Sequence, residues 1–108
     1  MTEAENWIRV AAVADVEKGA AIPVETMGLS LAVYHLDDGR ICVTDNTCTH
    51  AFALLTDGWL EGNVIECPLH AGQFDVCTGK GLGAPIDQDL RTYNVKVDAG
   101  DILIELPA

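Results

Sequence analysis

Two short segments of this chain each place one thiol beside one imidazole. The first is Cys48-Thr49-His50, the second is Cys67-Pro68-Leu69-His70, and sixteen residues lie between them. Thiolate sulfur and imidazole nitrogen are ligands that transition metals take in proteins. The sequence therefore predicts a metal site built by two loops, with Cys48, His50, Cys67 and His70 as its ligands.

The order of the ligands bears on the kind of metal centre. Two Cys and two His also form a tetrahedral zinc set, but in the common zinc modules the two Cys lie together and the two His follow, usually on a helix. Here each segment is mixed, and Pro68 and Gly72 make the second segment a loop. A centre whose two metal ions take different donors fits this order. The pattern favours a [2Fe-2S] cluster of the Rieske type, and zinc remains the alternative.

The chain around these segments is patterned as an all-β protein. Residues 29–36 and 41–44 are apolar runs joined by the turn Asp37-Asp38-Gly39-Arg40, which predicts a β-hairpin. Residues 64–67 lead into the second ligand segment and residues 73–76 lead out of it. Alternation over residues 92–97, followed by a turn and the run 102–106, predicts two further strands of the main sheet.

Length and charge restrict the partners. The 108 residues, 49% of them hydrophobic, suffice for one modest core, so we expect a single domain over residues 1–108. Its formal net charge of -11 opposes binding to nucleic acid or to an anionic membrane, and favours basic protein partners, although an acidic surface can also serve solubility alone.

No apolar run approaches the roughly 18 residues of a spanning helix, and the N-terminus is acidic. We expect a cytoplasmic protein.

The two ligand segments resemble the cluster-binding segments of Rieske proteins, and the likeness extends through Ala71-Gly72-Gln73-Phe74-Asp75. The whole chain resembles the small Rieske ferredoxins of bacterial aromatic-ring-hydroxylating dioxygenase systems of the naphthalene and biphenyl type. Three further stretches are typical of that group: Val43-Thr44-Asp45-Asn46, Asp57-Gly58-Trp59-Leu60-Glu61-Gly62 and Phe74-Asp75-Val76-Cys77-Thr78-Gly79-Lys80.

The resemblance implies a Rieske fold, in which a base of antiparallel sheets carries a small inserted cluster-binding subdomain at about residues 46–84. It implies one [2Fe-2S] cluster, with Cys48 and Cys67 on one iron and His50 and His70 on the other. It also implies a monomeric one-electron carrier that takes electrons from an NAD(P)H-dependent flavoprotein reductase and delivers them to a terminal Rieske oxygenase. The alternatives are the small Rieske-like subunit of an assimilatory nitrite reductase and a zinc-stabilised interaction module.

The chain departs from the high-potential Rieske proteins of respiratory complexes at four positions. Ala53 and Leu69 stand where those proteins have an additional disulfide, and Gly72 and Phe74 stand where they have a Ser and a Tyr that bond to sulfur. Each missing donor removes stabilisation of the reduced cluster, so we expect a potential near the bottom of the Rieske range, on the order of -150 mV. The segment Gly81-Leu82-Gly83-Ala84-Pro85 resembles the loop that covers the cluster in this family.

The remaining chemistry-bearing residues do not predict an enzyme. The chain has three His, and His35 is left over within a predicted strand, where we expect a structural role. No P-loop, dinucleotide fingerprint or Ser/His/Asp set is present in the sequence. Cys42 and Cys77 lie in or beside apolar stretches and are predicted to be structural thiols. Trp59 is predicted to pack in the core or at its rim.

Overall fold

A computed structural model describes residues 6–49, 53–69, 71–83, 86 and 88–106. Short strands connected by turns make up these residues, as the sequence predicts for an all-β chain. The strands are β1 (Trp7–Ala12), β2 (Ala20–Thr26), β3 (Leu29–His35), β4 (Ile41–Asp45), β5 (Trp59–Glu61), β6 (Val64–Glu66), β7 (Gln73–Asp75), β8 (Thr92–Tyr93), β9 (Val95–Asp98) and β10 (Asp101–Glu105). Two single turns of 3-10 helix, Val13–Asp15 and Leu55–Asp57, interrupt them.

The main sheet has four antiparallel strands in the order β2-β3-β4-β8. Its central hairpin is the predicted one: β3 pairs with β4 from His35↔Ile41 to Leu31↔Asp45 across the turn at residues 36–40. Five consecutive residues of β3, residues 31–35, are buried, because both faces of this strand are covered. Tyr34 is fully buried, and its hydroxyl is hydrogen-bonded to Thr44 Oγ1 at 2.9 Å.

A second antiparallel sheet has the order β1-β10-β9. The sequence predicts one strand over residues 92–97, but the structure divides it between the two sheets. Residues of β8 pair with β4, whereas Val95–Asp98 pair with β10. Asn94 lies between them, so the chain crosses from one sheet to the other at this residue. The run 102–106 forms a strand as predicted, but in this second sheet rather than in the main one.

Among the residues that the structure describes, the buried apolar side chains form two clusters. One lies between the two larger sheets and includes Leu31, Val33, Val43, Ile102 and Ile104. The other lies on the opposite side of the main sheet and joins Ala32, Tyr34 and Leu36 to the buried residues of the segment between β4 and β8. The alternating residues of β3 therefore contribute to both clusters, and the main sheet is the layer that they share.

A third sheet of three short antiparallel strands, in the order β5-β6-β7, packs on the second cluster. Its central strand places Ile65 opposite Phe74, and both side chains are buried. Strands β6 and β7 flank the second ligand segment, in the positions that the sequence predicts. None of the helices in the described part of the chain has the length and apolar character required to cross a bilayer.

Candidate metal centre

The two ligand segments form loops of the same size with the same closure. In the first loop, Thr47 pairs with Leu54, and Cys48 N–H donates to Ala53 O at 2.9 Å. In the second, Glu66 pairs with Gln73, and Cys67 N–H donates to Gly72 O at 2.7 Å. Each cysteine is thus the first residue of a hairpin loop, directly after the residue that closes the β pairing. Two equivalent hairpins present one thiol each.

The two thiols lie together in the interior. Cys48 is 3% exposed and Cys67 is 0% exposed, and both belong to the buried cluster that contains Phe74. The pKa of Cys67 is raised, first by burial and further by the neighbouring thiol of Cys48, while the backbone N–H of Leu69 acts in the opposite direction. Leu69 N–H donates to Cys67 Sγ at 3.4 Å. Such a donor stabilises the thiolate form that a metal requires.

The two predicted histidine ligands, His50 and His70, lie outside the described residues, as do Ala84 and Pro85 of the predicted covering loop. Their sequence positions fall inside the two hairpin loops, after Cys48 and Cys67 respectively. The described part of the candidate metal centre is therefore the pair of cysteine thiols. Two adjacent buried sulfurs, with a backbone donor already directed at one of them, fit the half of a Rieske cluster that takes thiolates.

The first loop is anchored by Asn46, a residue to which the sequence gives no role. Its side chain is 1% exposed and forms two hydrogen bonds with Thr56: Nδ2 donates to Thr56 Oγ1, and Oδ1 accepts from Thr56 N–H, both at 3.0 Å. Its backbone accepts from Leu55 N–H at 2.8 Å and donates to Ser30 O at 2.9 Å. Asn46 therefore joins β3, the start of the loop and the 3-10 turn that follows it.

A third segment, which comprises the described residues 81–83 and 88–89 before β8, is hydrogen-bonded to the first loop and to the strand that follows the second. Thr49 Oγ1, in the first loop, donates to Gln88 O at 2.8 Å. Asp89 Oδ1 accepts from Gly81 N–H at 2.9 Å, and Leu82 N–H donates to Gln73 O at 2.9 Å, directly after the second loop. Leu82 of the predicted covering segment is thus bonded to the second ligand hairpin, whereas the bond to the first is made by Gln88, further along the chain.

Several apolar side chains of this region are exposed. Leu54, Leu69 and Leu82 lie in or beside the two loops and the third segment, and each is exposed. Trp59 is 62% exposed on β5, so the prediction that it packs in the core or at its rim is wrong. Alternation along the three residues of β5 places Trp59 and Glu61 on the exposed face, while Leu60 between them packs against the second cluster.

His35 has the structural role predicted for it. It is 9% exposed at the end of β3, and its Nδ1 is hydrogen-bonded to Val16 O at 2.9 Å. Cys42 and Cys77 are half-buried and pack against the cluster that contains the two ligand thiols. Both are free thiols, the backbone N–H of Cys77 donates to Asp75 Oδ1 at 2.8 Å, and their structural role stays a prediction.

The chain matches the model of the Rieske [2Fe-2S] domain over residues 6–94. It belongs to the Rieske [2Fe-2S] family. Within the family, it is 48% identical over 101 residues to the ferredoxin component of the naphthalene 1,2-dioxygenase system of Pseudomonas putida, a match that covers 94% of this chain and 96% of the relative.

Solved structures agree with this placement. A ferredoxin of Sphingomonas yanoikuyae B1 superposes with a TM-score of 0.89 at 42% identity, covering 94% of this chain and 100% of that one. A chain in the complex of reduced oxygenase and oxidized ferredoxin in carbazole 1,9a-dioxygenase superposes with a TM-score of 0.85 at 39% identity, covering 93% of each chain. The predicted Rieske fold, the [2Fe-2S] cofactor and the likeness to dioxygenase ferredoxin components are confirmed.

Proposed function

We propose that this protein is the electron-carrying ferredoxin of an aromatic-ring dioxygenase system, with Cys48, His50, Cys67 and His70 as ligands of its cluster. The observation that supports the ligand set is the pair of equivalent hairpins, each of which presents a buried thiol at its first position. Cys48 and Cys67 would hold one iron. His50 and His70, which follow within the same two loops, would hold the other.

When bound, the cluster supplies reversible one-electron chemistry in the potential range of Rieske centres. The ligand set of the chain accounts for this range, and hydrogen bonds to the sulfurs decide where in the range the potential lies. Two thiolates and two neutral imidazoles contribute less negative charge than four thiolates, which makes the addition of an electron less repulsive. Leu69 N–H is a sulfur donor that the backbone supplies, and Gly72 and Phe74 supply no hydroxyl. This balance places the expected potential low among Rieske proteins.

The proposal includes an electron donor and an electron acceptor. We infer that a flavoprotein reductase that uses NAD(P)H gives electrons to this chain and that a terminal Rieske oxygenase receives them. The relative that is a ferredoxin component of a dioxygenase system and the complex of ferredoxin with oxygenase support the oxygenase as the acceptor. The chain would act as a monomer in the cytoplasm and would carry electrons without catalysing a reaction on the arene itself.

We further propose that residues 46–84 form the cluster-binding part of one Rieske domain that spans residues 1–108. Both ligand hairpins and the sheet β5-β6-β7 fall within these residues, between β4 and β8 of the main sheet. Asn46 lies at one boundary of this part, and its hydrogen bonds to Ser30 and Thr56 connect the part to the base.

The proposal is tested by reconstitution with a purified flavoprotein reductase and terminal oxygenase of a naphthalene dioxygenase system. The wild-type chain is expected to support NADH-dependent oxidation of the arene, and Cys48→Ser is expected to abolish it together with the visible absorption of the cluster. Cys42→Ser is the matched control, because Cys42 is a half-buried thiol outside the ligand set. Retention of the cluster by Cys48→Ser would refute the ligand assignment. Electron delivery to a nitrite reductase but to no arene dioxygenase would refute the partner assignment.

A further inference from the structure

A continuous path of hydrogen bonds connects the first ligand hairpin to the second. It begins at Thr49, which follows Cys48 in the first loop and whose Oγ1 donates to Gln88 O at 2.8 Å. The next residue along the chain, Asp89, accepts from Gly81 N–H through Oδ1 at 2.9 Å. Residues 88 and 89 therefore make one contact with the first hairpin and one with the segment that follows the second.

The path continues from Gly81 to the second ligand cysteine. Leu82, the neighbour of Gly81, donates its N–H to Gln73 O at 2.9 Å. Gln73 follows Gly72, whose carbonyl accepts from Cys67 N–H at 2.7 Å. Every residue on this path is among those that the structure describes. The hydrogen-bonded bridge between the two hairpins therefore consists of residues 48–49, 88–89, 81–82, 72–73 and 67.

Two of the four hydrogen bonds in the bridge depend on a side chain, and the other two join backbone groups. The Thr49 hydroxyl makes the first link, and the Asp89 carboxylate makes the second. Because the links stand in series, loss of either one interrupts the whole bridge. A substitution at Thr49 or Asp89 thus opens the bridge without changing a proposed ligand of the cluster.

The second link lies within a closely packed contact between two segments. A Cβ on Gly81 would meet the side chain of Ile86, so the chain has no free space on that side. Leu90 N–H donates to Gly79 O at 2.7 Å, beside the bond between Asp89 and Gly81. Residues 88–90 are therefore held against residues 79–81 at two points. The Thr49 hydroxyl attaches the first ligand loop to this pair of segments.

We propose that Thr49 and Asp89 are positioning residues that fix the two ligand hairpins relative to each other. The inference rests on the proposed function, in which each hairpin supplies two ligands of one cluster. A bridge that sets the separation of the hairpins reduces the conformational entropy that is lost when the cluster binds. Loss of the bridge leaves each hairpin closed by its own hydrogen bonds but allows the two to move apart, and the cluster is then released faster.

Five single variants and one double variant of the holoprotein test the proposal. Thr49→Val and Asp89→Leu each remove a link, whereas Thr49→Ser keeps the donor and Asp89→Asn keeps the acceptor. The double variant combines Thr49→Val with Asp89→Leu. Asp101→Leu is the control, because it removes an exposed hydrogen bond with Arg9 in the sheet without a ligand loop. The measurements are the rate of iron release to a chelator and amide hydrogen exchange followed by mass spectrometry.

Thr49→Val and Asp89→Leu are each expected to release iron several-fold faster than the wild type. The double variant should be no faster than the faster of the two, because a bridge in series is lost only once. Thr49→Ser, Asp89→Asn and Asp101→Leu should match the wild type. In Thr49→Val, hydrogen exchange should also accelerate at residues 81–82, which lie beyond the link that was removed.

Additive effects of the two substitutions on the logarithm of the release rate would show two independent contacts and would overturn the proposal. Equally fast release in Asp89→Asn and Asp89→Leu would also overturn it, since the charge and not the hydrogen bond would then be responsible. If the wild-type chain holds zinc or no metal, the proposed function fails, and the exchange measurement on Thr49→Val decides on the bridge alone. Acceleration at residues 81–82 would then support the bridge, and acceleration confined to the first loop would overturn it.

Discussion

Cys48 and Cys67 differ from ordinary core cysteines in what their surroundings offer to a thiolate. Each follows a closing β pair, and the backbone N–H of Leu69 is directed at Cys67 Sγ. Phe74 is 0% exposed in the same buried cluster, but it offers no hydrogen bond donor. Phe74 is therefore the position at which a substitution is most suited to changing the reduction potential of the cluster.

The substitution Phe74→Tyr is expected to raise the reduction potential, because a hydroxyl that donates to a ligand sulfur stabilises the reduced, more negative cluster. One additional hydrogen bond worth about 1 kcal/mol corresponds to roughly 40 mV for a one-electron couple. Protein-film voltammetry measures the shift. Phe74→Leu, which adds no donor, is the control and should not raise the potential. An unchanged or lower potential in Phe74→Tyr would contradict this account.

Asn46 is the polar residue on which the first ligand loop depends, through its two side-chain hydrogen bonds with Thr56. Asn46→Ala would leave Thr56 N–H without this acceptor in a part-buried site. We therefore expect the free energy of unfolding to fall by about 2 kcal/mol. Faster release of iron to a chelator and a lower thermal midpoint should follow. The matched control is Asn94→Ala, which removes one exposed hydrogen bond to Glu105. Equal effects of the two substitutions would show that Asn46 does not anchor the loop.

The proposed cluster-binding part, residues 46–84, is held against the main sheet by close backbone contacts as well as by side chains. Gly79 has a φ of 79°, and its carbonyl accepts from Leu90 N–H at 2.7 Å. A Cβ at this position would meet the carbonyl oxygen of Leu90 and the side chain of Thr92. The turn after β7 is therefore in close contact with Leu90 and Thr92, at the start of β8 of the main sheet.

A pair of glycines isolates the effect of this close approach. Gly28, in the β2–β3 turn, has a φ of 78°, and a Cβ there would meet open space. Gly28→Ala is expected to cost about 1 kcal/mol for the left-handed backbone alone. Gly79→Ala should lower the free energy of unfolding by about 2 kcal/mol more than Gly28→Ala does, because the clash with Leu90 is added. Thermal unfolding of the two holoprotein variants tests this, and similar midpoints would contradict it.

The sequence was informative about elements where a local pattern exists. The hairpin β3–β4 and the strands on either side of the second loop follow from alternation and turn residues. The ligand segments follow from residue type at short spacing. The crossing of the chain between sheets at Asn94 has no such pattern, because alternation continues unbroken through residues 92–97. Asn46 and Asp89 were missed since their hydrogen bonds join residues eight or ten positions apart.

The whole molecule carries a formal net charge of -11, which matters for the proposed role because the carrier would meet a donor and an acceptor in turn. Not every acidic residue near the ligand loops is available for docking. Asp45 is half-buried, and its Oδ1 accepts from the Tyr93 hydroxyl at 2.6 Å. Burial and this carboxylate raise the pKa of Tyr93 to about 12. Asp57 and Glu61, in contrast, are exposed.

We therefore expect the rate of reduction by the flavoprotein reductase to fall as ionic strength rises, by about tenfold between low and high salt. Asp57→Lys and Glu61→Lys should lower the low-salt rate and weaken its dependence on salt. Asp98→Lys is the control: it makes the same charge change at an exposed position on β9, in a sheet without a ligand loop. Stopped-flow measurements of the second-order rate decide the matter. A rate independent of salt would exclude electrostatic docking.

The central claim is that the two thiol-bearing hairpins hold a Rieske [2Fe-2S] cluster, and the most direct test is the iron, zinc and acid-labile sulfide content of the purified holoprotein. The visible spectrum before and after dithionite belongs to the same measurement. We predict two irons and two sulfides per chain, with a coloured spectrum that bleaches on reduction. One zinc per chain without sulfide, in protein produced with adequate iron, would contradict it.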